Sequence, residues 1–362
     1  MTSSRWLDEP GPVRKQEEID SDRLGEYVAA VLPELSGIPL EIRQFLQGYS
    51  NLTYLIKIAG RSLILRRPPI GVQIASAHDM GREFRILSRL APVWSKAPQA
   101  LVFCEDSGVL GAPFYLMERI EGVILRKEMP DGMWPQPELA TRIADDLIDT
   151  LVELHDVDYE SAELGQLGRP QGYVRRQIEG WTKRYRHSET DSIPETDSVI
   201  RWLNDSMPTE SEASLIHNDF KHDNVVLNPD DWSCVIAVLD WEMATLGDPL
   251  MDLGTSLAYW TDPGDPVALL ETRLSPTTLP GTPDRAAVVE RYALMSGRDV
   301  DNIVFYYAYG LFKVAVIVQQ LYVRHVTGRT TDPRYARLIE GVRALSQVAW
   351  QATQKGRIDD LF

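Results

Sequence analysis

Residues 215–254, LIHNDFKHDNVVLNPDDWSCVIAVLDWEMATLGDPLMDLG, hold the densest set of side chains able to do chemistry. His217 and Asp219 stand two apart, and Asn224 follows the aspartate by five residues. Asp240 comes sixteen residues later, at the end of the apolar run SCVIAVL. Carboxylate, amide and second carboxylate in this order match what phosphoryl transfer asks of a protein. That reaction needs a group that orients the attacking hydroxyl and oxygen ligands that keep Mg²⁺ on the phosphates. In H-x-D-x-x-x-x-N followed by a strand-terminal Asp, Asp219 would be the base, with Asn224 and Asp240 as Mg²⁺ ligands. A hairpin through NPDDW would bring the two ligands together. The competing reading is a polar turn rich in Asx residues, which are common in loops.

The elements that must position these residues follow from periodicity. Residues 1–20 read as a polar, mobile leader and DRLGEYVAAVLPEL (22–35) as a helix. From Ile42 the period becomes two, and Phe45–Gly48, Thr53–Ile58 and Ser62–Arg66 read as three short strands separated by GYSN and AGR turns. The amphipathic helix HDMGREFRILSRL (78–90) follows, then the strand-like runs ALVFCED and PFYLMERIEG. Beyond about Pro137 the pattern turns helical, with LATRIADDLIDTLVELHDVD and the basic GYVRRQIEGWTKRYRH. It reverts to short strands over 215–245 and is mostly helical from 250 to 355. The expected organisation is a leader (1–20), a nucleotide-binding lobe (21–121) and a catalytic, acceptor-binding lobe (122–362).

FLQGYSNLTYLIKIAGRSLILRRPP, REFRILSRL, LGAPFYLMERIEG, HNDFKHDN and LDWEMATLGDPLMDL together resemble the aminoglycoside-phosphotransferase/choline-kinase group of the protein-kinase-like superfamily. GRPQGYVRRQIEGWTKRY and DWEMATLGDPLMDL look closest to kinase domains fused to, or encoded beside, acyl-CoA dehydrogenases. The resemblance implies an α+β, bilobal protein-kinase-like fold, with a small antiparallel-sheet N-lobe carrying one helix and a larger, mostly helical C-lobe. It implies ATP or GTP as nucleotide and Mg²⁺ as cofactor. Gly48, Ser50 and Asn51 would then lie in the phosphate-covering loop, although GYSN is equally an ordinary hairpin turn. Arg66 falls where kinases place the strand lysine that touches the phosphates, and a guanidinium can bind phosphate bidentately. Arg67 should point to the opposite face of its strand. Glu83 would position Arg66, its alternative being a solvated helix charge. Met117, Glu118 and Ile120 would form the hinge beside the base through backbone groups. Asp223, Glu242 and Asp248 are neighbours without an assigned role, and Asp252 reads as a helix cap or structural anchor. Two departures from the pattern are Asn218, where glycine is usual, and DWE in place of DFG. Asparagine tolerates unusual backbone angles better than most residues.

Composition narrows the partners. With 37 Lys and Arg against 53 Asp and Glu, the formal charge is −16, which argues against a general nucleic-acid or anionic-membrane binder. Two cysteines without metal spacing favour a reduced, cytoplasmic chain. The first residues lack the apolar core of a secretory signal. The most apolar stretch, 303–323, is interrupted by Lys313 and reads as a buried core helix rather than a membrane span. Between Arg169 and His187, six basic residues face one acid, Glu179. Arg176, Lys183 and Arg184 could attract a polyanionic acceptor such as a hydroxyacyl-CoA, or form a solvated helix face. The expected activity is therefore transfer of a γ-phosphoryl group to the hydroxyl of a hydroxyacyl-CoA or hydroxy acid. An antibiotic, sugar or choline-like acceptor is the alternative. A nucleotide-binding pseudokinase is the third reading, against which the intact Asp219, Asn224 and Asp240 set speaks.

Overall fold

The computed structural model describes residues 7–46, 51–69, 79–127, 134–209, 212–330 and 332–362. Its contacts divide the chain into two units. The first comprises Met1–Ile124, Glu160–Leu164 and Val226–Met243; the second comprises Leu125–Tyr159, Gly165–Val225 and Ala244–Phe362.

The first unit opens with α1 (Ser21–Val31), whose N-terminal amides are capped by the Asp20 carboxylate. Ahead of it, Leu7 bridges to Val123 and Gly11 to Gln44. Strands β1 (Glu41–Phe45), β2 (Leu52–Ile58) and β3 (Arg61–Arg67) follow, then α2 (Met80–Leu90), β4 (Ala100–Cys104), the short α3 (Ser107–Leu110) and β5 (Phe114–Glu118). The strands form one antiparallel sheet in the order β1-β2-β3-β5-β4. Ile58 pairs with Arg61, so Ala59–Gly60 is a two-residue hairpin loop. Both residues have positive φ (52° and 77°), the geometry that matches strand twist. The first strand lies earlier than its turn signal suggested. Glu41–Phe45, rather than Phe45–Gly48, pairs with Lys57–Thr53, because these residues supply the alternating partners that β2 needs. On one side of the sheet, Tyr54, Ile56, Leu63, Leu65, Phe114 and Leu116 join Leu24 and Val28 of α1 in a buried core.

The second unit is helical around one short strand pair. Helices α4 (Pro137–His155), α5 (Tyr173–Ser188) and α6 (Pro194–Asp205) lead into β6 (Ser214–Ile216). The chain then forms the hairpin β7 (Val225–Leu227) and β8 (Val235–Val238), most of it grouped with the first unit. Strand β9 (Thr245–Gly247) pairs with β6, and α7 (Pro249–Ala258), α8 (Val267–Thr272), α9 (Arg285–Ser296), α10 (Ile303–Val326) and α11 (Leu338–Lys355) complete the unit.

Helix α10 is long and apolar enough to cross a bilayer by length and composition, yet 72% of its apolar window is buried within the protein. It packs on α7, α11 and α5. Its crossing with α7 depends on glycine. A Cβ at Gly310 would meet the Gly254 carbonyl, and a Cβ at Gly254 would meet the Tyr306 backbone. Gly310→Ala must therefore separate two helix backbones, because backbone cannot yield as a flexible side chain can. Overpacking of this kind costs about 1–3 kcal/mol, so Tm is expected to fall by roughly 2–12 °C. An unchanged thermal transition would contradict this account of the crossing.

Candidate active site

In the first unit, Glu83 and Asp240 meet at Arg66. Helix α2 starts on the Asp79 cap and buries Met80, Glu83, Ile86, Leu87 and Leu90, an i, i+3, i+4, i+7 stripe. Glu83 thus sits on the apolar stripe at 1% exposure, where a carboxylate needs a partner. Arg66 of β3 supplies it, with Nη1 donating to Glu83 Oε1 at 2.8 Å. Nη2 of the same guanidinium donates to Asp240 Oδ1, also at 2.8 Å. Burial works against the charge of Arg66, but Glu83, Tyr115 and Asp240 hold its pKa well above the ordinary value. Burial pushes the Glu83 carboxyl up, and the Arg66 charge pulls it back. The guanidinium stays protonated, and its charge favours the ionised form of Glu83 against the effect of burial.

Asp240 lies two residues beyond β8, at a left-handed φ of 68°. The next residue, Trp241, donates its backbone N–H to Glu83 Oε1 at 3.2 Å and stacks edge-on against Trp94. These contacts fix the turn that presents Asp240. Glu242 accepts from Asn51 Nδ2 at 2.8 Å, and its carbonyl accepts from Arg82. Arg67 faces elsewhere, donating to the Leu110 carbonyl and lying over the Tyr54 ring. Met117 pairs with Ile64 within the sheet, and the Glu118 N–H is taken by the Gln99 carbonyl. Gly48 and Ser50 lie outside the described residues.

In the second unit, the segment after β6 is built around Asp219. Its Oδ1 accepts from the Tyr259 hydroxyl at 2.7 Å, and its Oδ2 accepts from Asn224 Nδ2 at 2.9 Å and from Lys221 Nζ. Burial opposes ionisation, but the Lys221 ammonium, the Tyr259 hydrogen bond and His217 outweigh it and hold the carboxyl below its usual range. Asp219 is therefore a carboxylate across the working pH range, better suited to orienting a hydroxyl than to taking its proton early. Asp252 of α7 accepts from the backbone N–H groups of His217 (2.6 Å) and Asn218 (2.7 Å). The helix is capped instead by Asp248, so Asp252 is an anchor. It is braced in turn by His155, which also meets the Tyr292 hydroxyl at 2.7 Å. His155 is the last residue of α4, and its ring is buried in this network.

Asn224 and Asp240 offer an amide and a carboxylate. The Asn224 amide nitrogen is committed to Asp219, which leaves its oxygen as the atom able to ligate a cation. Asp240 gives one oxygen to Arg66, and its side chain is 30% exposed. Oxygen donors of this kind suit Mg²⁺, which takes few protein ligands and keeps several waters and substrate phosphates as the rest. Among the described residues no group of three or more His, Cys, Asp or Glu could hold a metal by itself, as that mode of binding allows.

The basic helix α5 is more engaged than its sequence suggested. Arg176 donates to the Gln171 and Arg169 carbonyls, Arg184 lies over the Trp181 ring at 4.6 Å, and Arg186 is paired with Glu189 and Asp197. Lys183 is exposed. Sequence reasoning missed Tyr259 and gave Lys221 no role. The signal for Lys221 was its place two residues after Asp219; for Tyr259, 40 residues away, there was none.

A family model described as "Phosphotransferase enzyme family" matches residues 41–287. The mouse protein named acyl-CoA dehydrogenase family member 10 is 38% identical over 348 residues, covering 95% of this chain and 32% of the relative. Acyl-CoA dehydrogenase family member 11 of Rattus norvegicus is 32% identical, over 95% of this chain and 44% of the relative. The chain thus spans about a third to under a half of these two relatives. Among solved structures, a Ralstonia eutropha protein named a "putative aminoglycoside phosphotransferase" superposes with a TM-score of 0.79. It is 31% identical over 93% of this chain and 99% of that one.

Proposed function

The chain belongs to the phosphotransferase enzyme family, and from that premise we propose that it transfers the γ-phosphoryl group of Mg-ATP or Mg-GTP to the hydroxyl of a small acceptor. The observation that carries this reading is the Asp219 carboxylate, partly buried and kept ionised by Lys221 and Tyr259 in H-x-D-x-x-x-x-N. In this mechanism Asp219 accepts a hydrogen bond from the acceptor hydroxyl, aligns its oxygen and receives its proton as the new bond forms. The Lys221 ammonium offsets negative charge beside that carboxylate. Arg66, held by Glu83, contacts phosphate oxygens, while Asn51 and the hinge Met117–Ile120 contribute to nucleotide binding. Asn224 and Asp240 would hold Mg²⁺, which supplies neutralising charge on the phosphates when bound.

For the acceptor we favour an amino-sugar or choline-like hydroxyl. The Ralstonia relative's name, the matching of nearly its whole length and the acidity of this chain support it. A hydroxyacyl-CoA or hydroxy acid is the second reading, supported by the acyl-CoA dehydrogenase relatives. It is weakened by the intramolecular engagement of Arg176 and Arg184. A nucleotide-consumption screen over amino sugars, choline, hydroxy acids and hydroxyacyl-CoAs separates the two. Turnover is expected with the cationic compounds, and KM there should be indifferent to joint replacement of Arg176 and Arg184 by glutamine. Turnover confined to CoA esters, with KM raised by that double replacement and by salt, would transfer the assignment to the second reading.

A further inference from the structure

Lys313 lies in the middle of α10 with 1% of its surface exposed, and it forms no ion pair among the described residues. Its Nζ donates instead to the Asn218 backbone carbonyl at 2.6 Å and reaches the Asn218 side-chain oxygen at 3.3 Å. The Trp181 ring lies 5.9 Å from the ammonium. Asn218 adopts a left-handed φ of 67°, an uncommon conformation for a residue with a side chain. Its N–H is taken by Asp252, its carbonyl by Lys313, and its side-chain amide by Tyr173 and Lys313. Burying an ammonium without a carboxylate partner is unfavourable for folding, and an apolar side chain of similar length would fit α10 better. The charge therefore needs a reason other than stability.

We infer that Lys313 is a positioning residue for phosphoryl transfer, clamping Asn218 in the left-handed turn that presents Asp219. The inference rests on the reading of Asp219 as the base. Lys313 touches no reacting atom; it acts through the residue adjoining Asp219. Helix α10 thereby ties the catalytic segment to the centre of the helical unit, alongside the Asp252 anchor of α7.

Charge matters to the clamp, because hydrogen bonds from an ionised donor are roughly twice as strong as neutral ones. Burial lowers the Lys313 pKa from 10.5 to about 8. Asp252 of α7 and Asp219 act to raise it, while Lys221 of the catalytic segment and Arg184 of α5 add to the lowering. Tyr173 of α5 completes the polar surroundings. The ammonium is present below about pH 8 and lost above it, so turnover should decline through that pH. Stability moves the other way. Between about pH 8 and the ordinary lysine range the unfolded chain binds more protons, so the penalty for the buried charge is relieved as pH rises.

The test measures basal Mg-ATP hydrolysis, with water as the acceptor, in wild type, Lys313→Met, Asn218→Gly and the double variant. Asp219→Asn is run in parallel. Lys313→Met is expected to lower kcat about 10–100-fold, the scale of a misplaced catalytic group. KM for ATP should be unchanged, Tm equal to or above wild type, and the decline above about pH 8 absent. Glycine takes the left-handed turn without strain, so the Lys313→Met step should cost less in the Asn218→Gly background. Hydrogen exchange, which needs no turnover, should show weaker protection of the His217 and Asn218 amides in Lys313→Met. Lys313→Gln, which keeps a donor without the charge, should fall between wild type and Lys313→Met. Unchanged kcat and protection, an equal cost in both backgrounds, or a Tm falling in step with kcat would overturn the inference. If Asp219→Asn loses hydrolysis while Lys313→Met keeps it, this inference alone fails. Full hydrolysis by Asp219→Asn would instead sink the base assignment beneath it.

Discussion

Asp219→Asn is expected to lower turnover by about 10²–10⁴, the range for a positioned base, with nucleotide affinity near wild type. The substitution keeps the side chain's shape and removes its charge. Lys221, Asn224 and Tyr259 all donate to the Asp219 carboxylate, so an amide in its place leaves at least one of these donors facing an N–H₂ group. The acceptor hydroxyl then loses both its orienting partner and its proton sink. Steady-state kinetics with nucleotide binding measured separately checks this. A kcat close to wild type would remove Asp219 from the mechanism.

Asp240→Ala should abolish measurable transfer and weaken Mg-nucleotide binding far more than binding of metal-free nucleotide. The asymmetry follows from charge. With Mg²⁺ present, the carboxylate would be a ligand; without it, the same carboxylate would repel the phosphates, so its removal would cost little or help. The fold should survive, because Arg66 keeps Glu83 as its buried partner and Trp241 still donates to Glu83. Calorimetric titration with and without Mg²⁺ reads the difference directly. Equal, small losses for both forms would mean that Asp240 serves only to balance Arg66.

The chemistry was more legible in the sequence than the scaffolding behind it. Asp219, Asn224 and Asp240 lie within 22 residues, so spacing alone could suggest their roles. Glu83 was named only through the family resemblance; its place on the apolar stripe of α2, where a carboxylate calls for a cation, is the local signal behind it. The α+β architecture came from the family resemblance, to which the switch between period two and helical spacing lent support. The first strand was misplaced because the GYSN turn signal drew it toward residue 48, whereas pairing with β2 decided its position. What could not be read were contacts between residues distant in the chain. Lys313 looked like a charge interrupting an apolar run, and only its meeting with Asn218, 95 residues away, explains it. Tyr259 and Asp252 likewise reach the catalytic segment through the packing of α7, which no local pattern encodes.

The central claim is phosphoryl transfer to a hydroxyl, and product analysis tests it most directly. Wild-type protein and Asp219→Asn are each incubated with γ-labelled ATP, Mg²⁺ and a mixture of amino sugars, choline, hydroxy acids and hydroxyacyl-CoAs. Products are then separated by mass. The account predicts a labelled phosphomonoester of one acceptor with wild type and, at equal protein and time, about 10²–10⁴-fold less with Asp219→Asn. Tight nucleotide binding with no phosphomonoester from any acceptor, or equal product from both proteins, would contradict it.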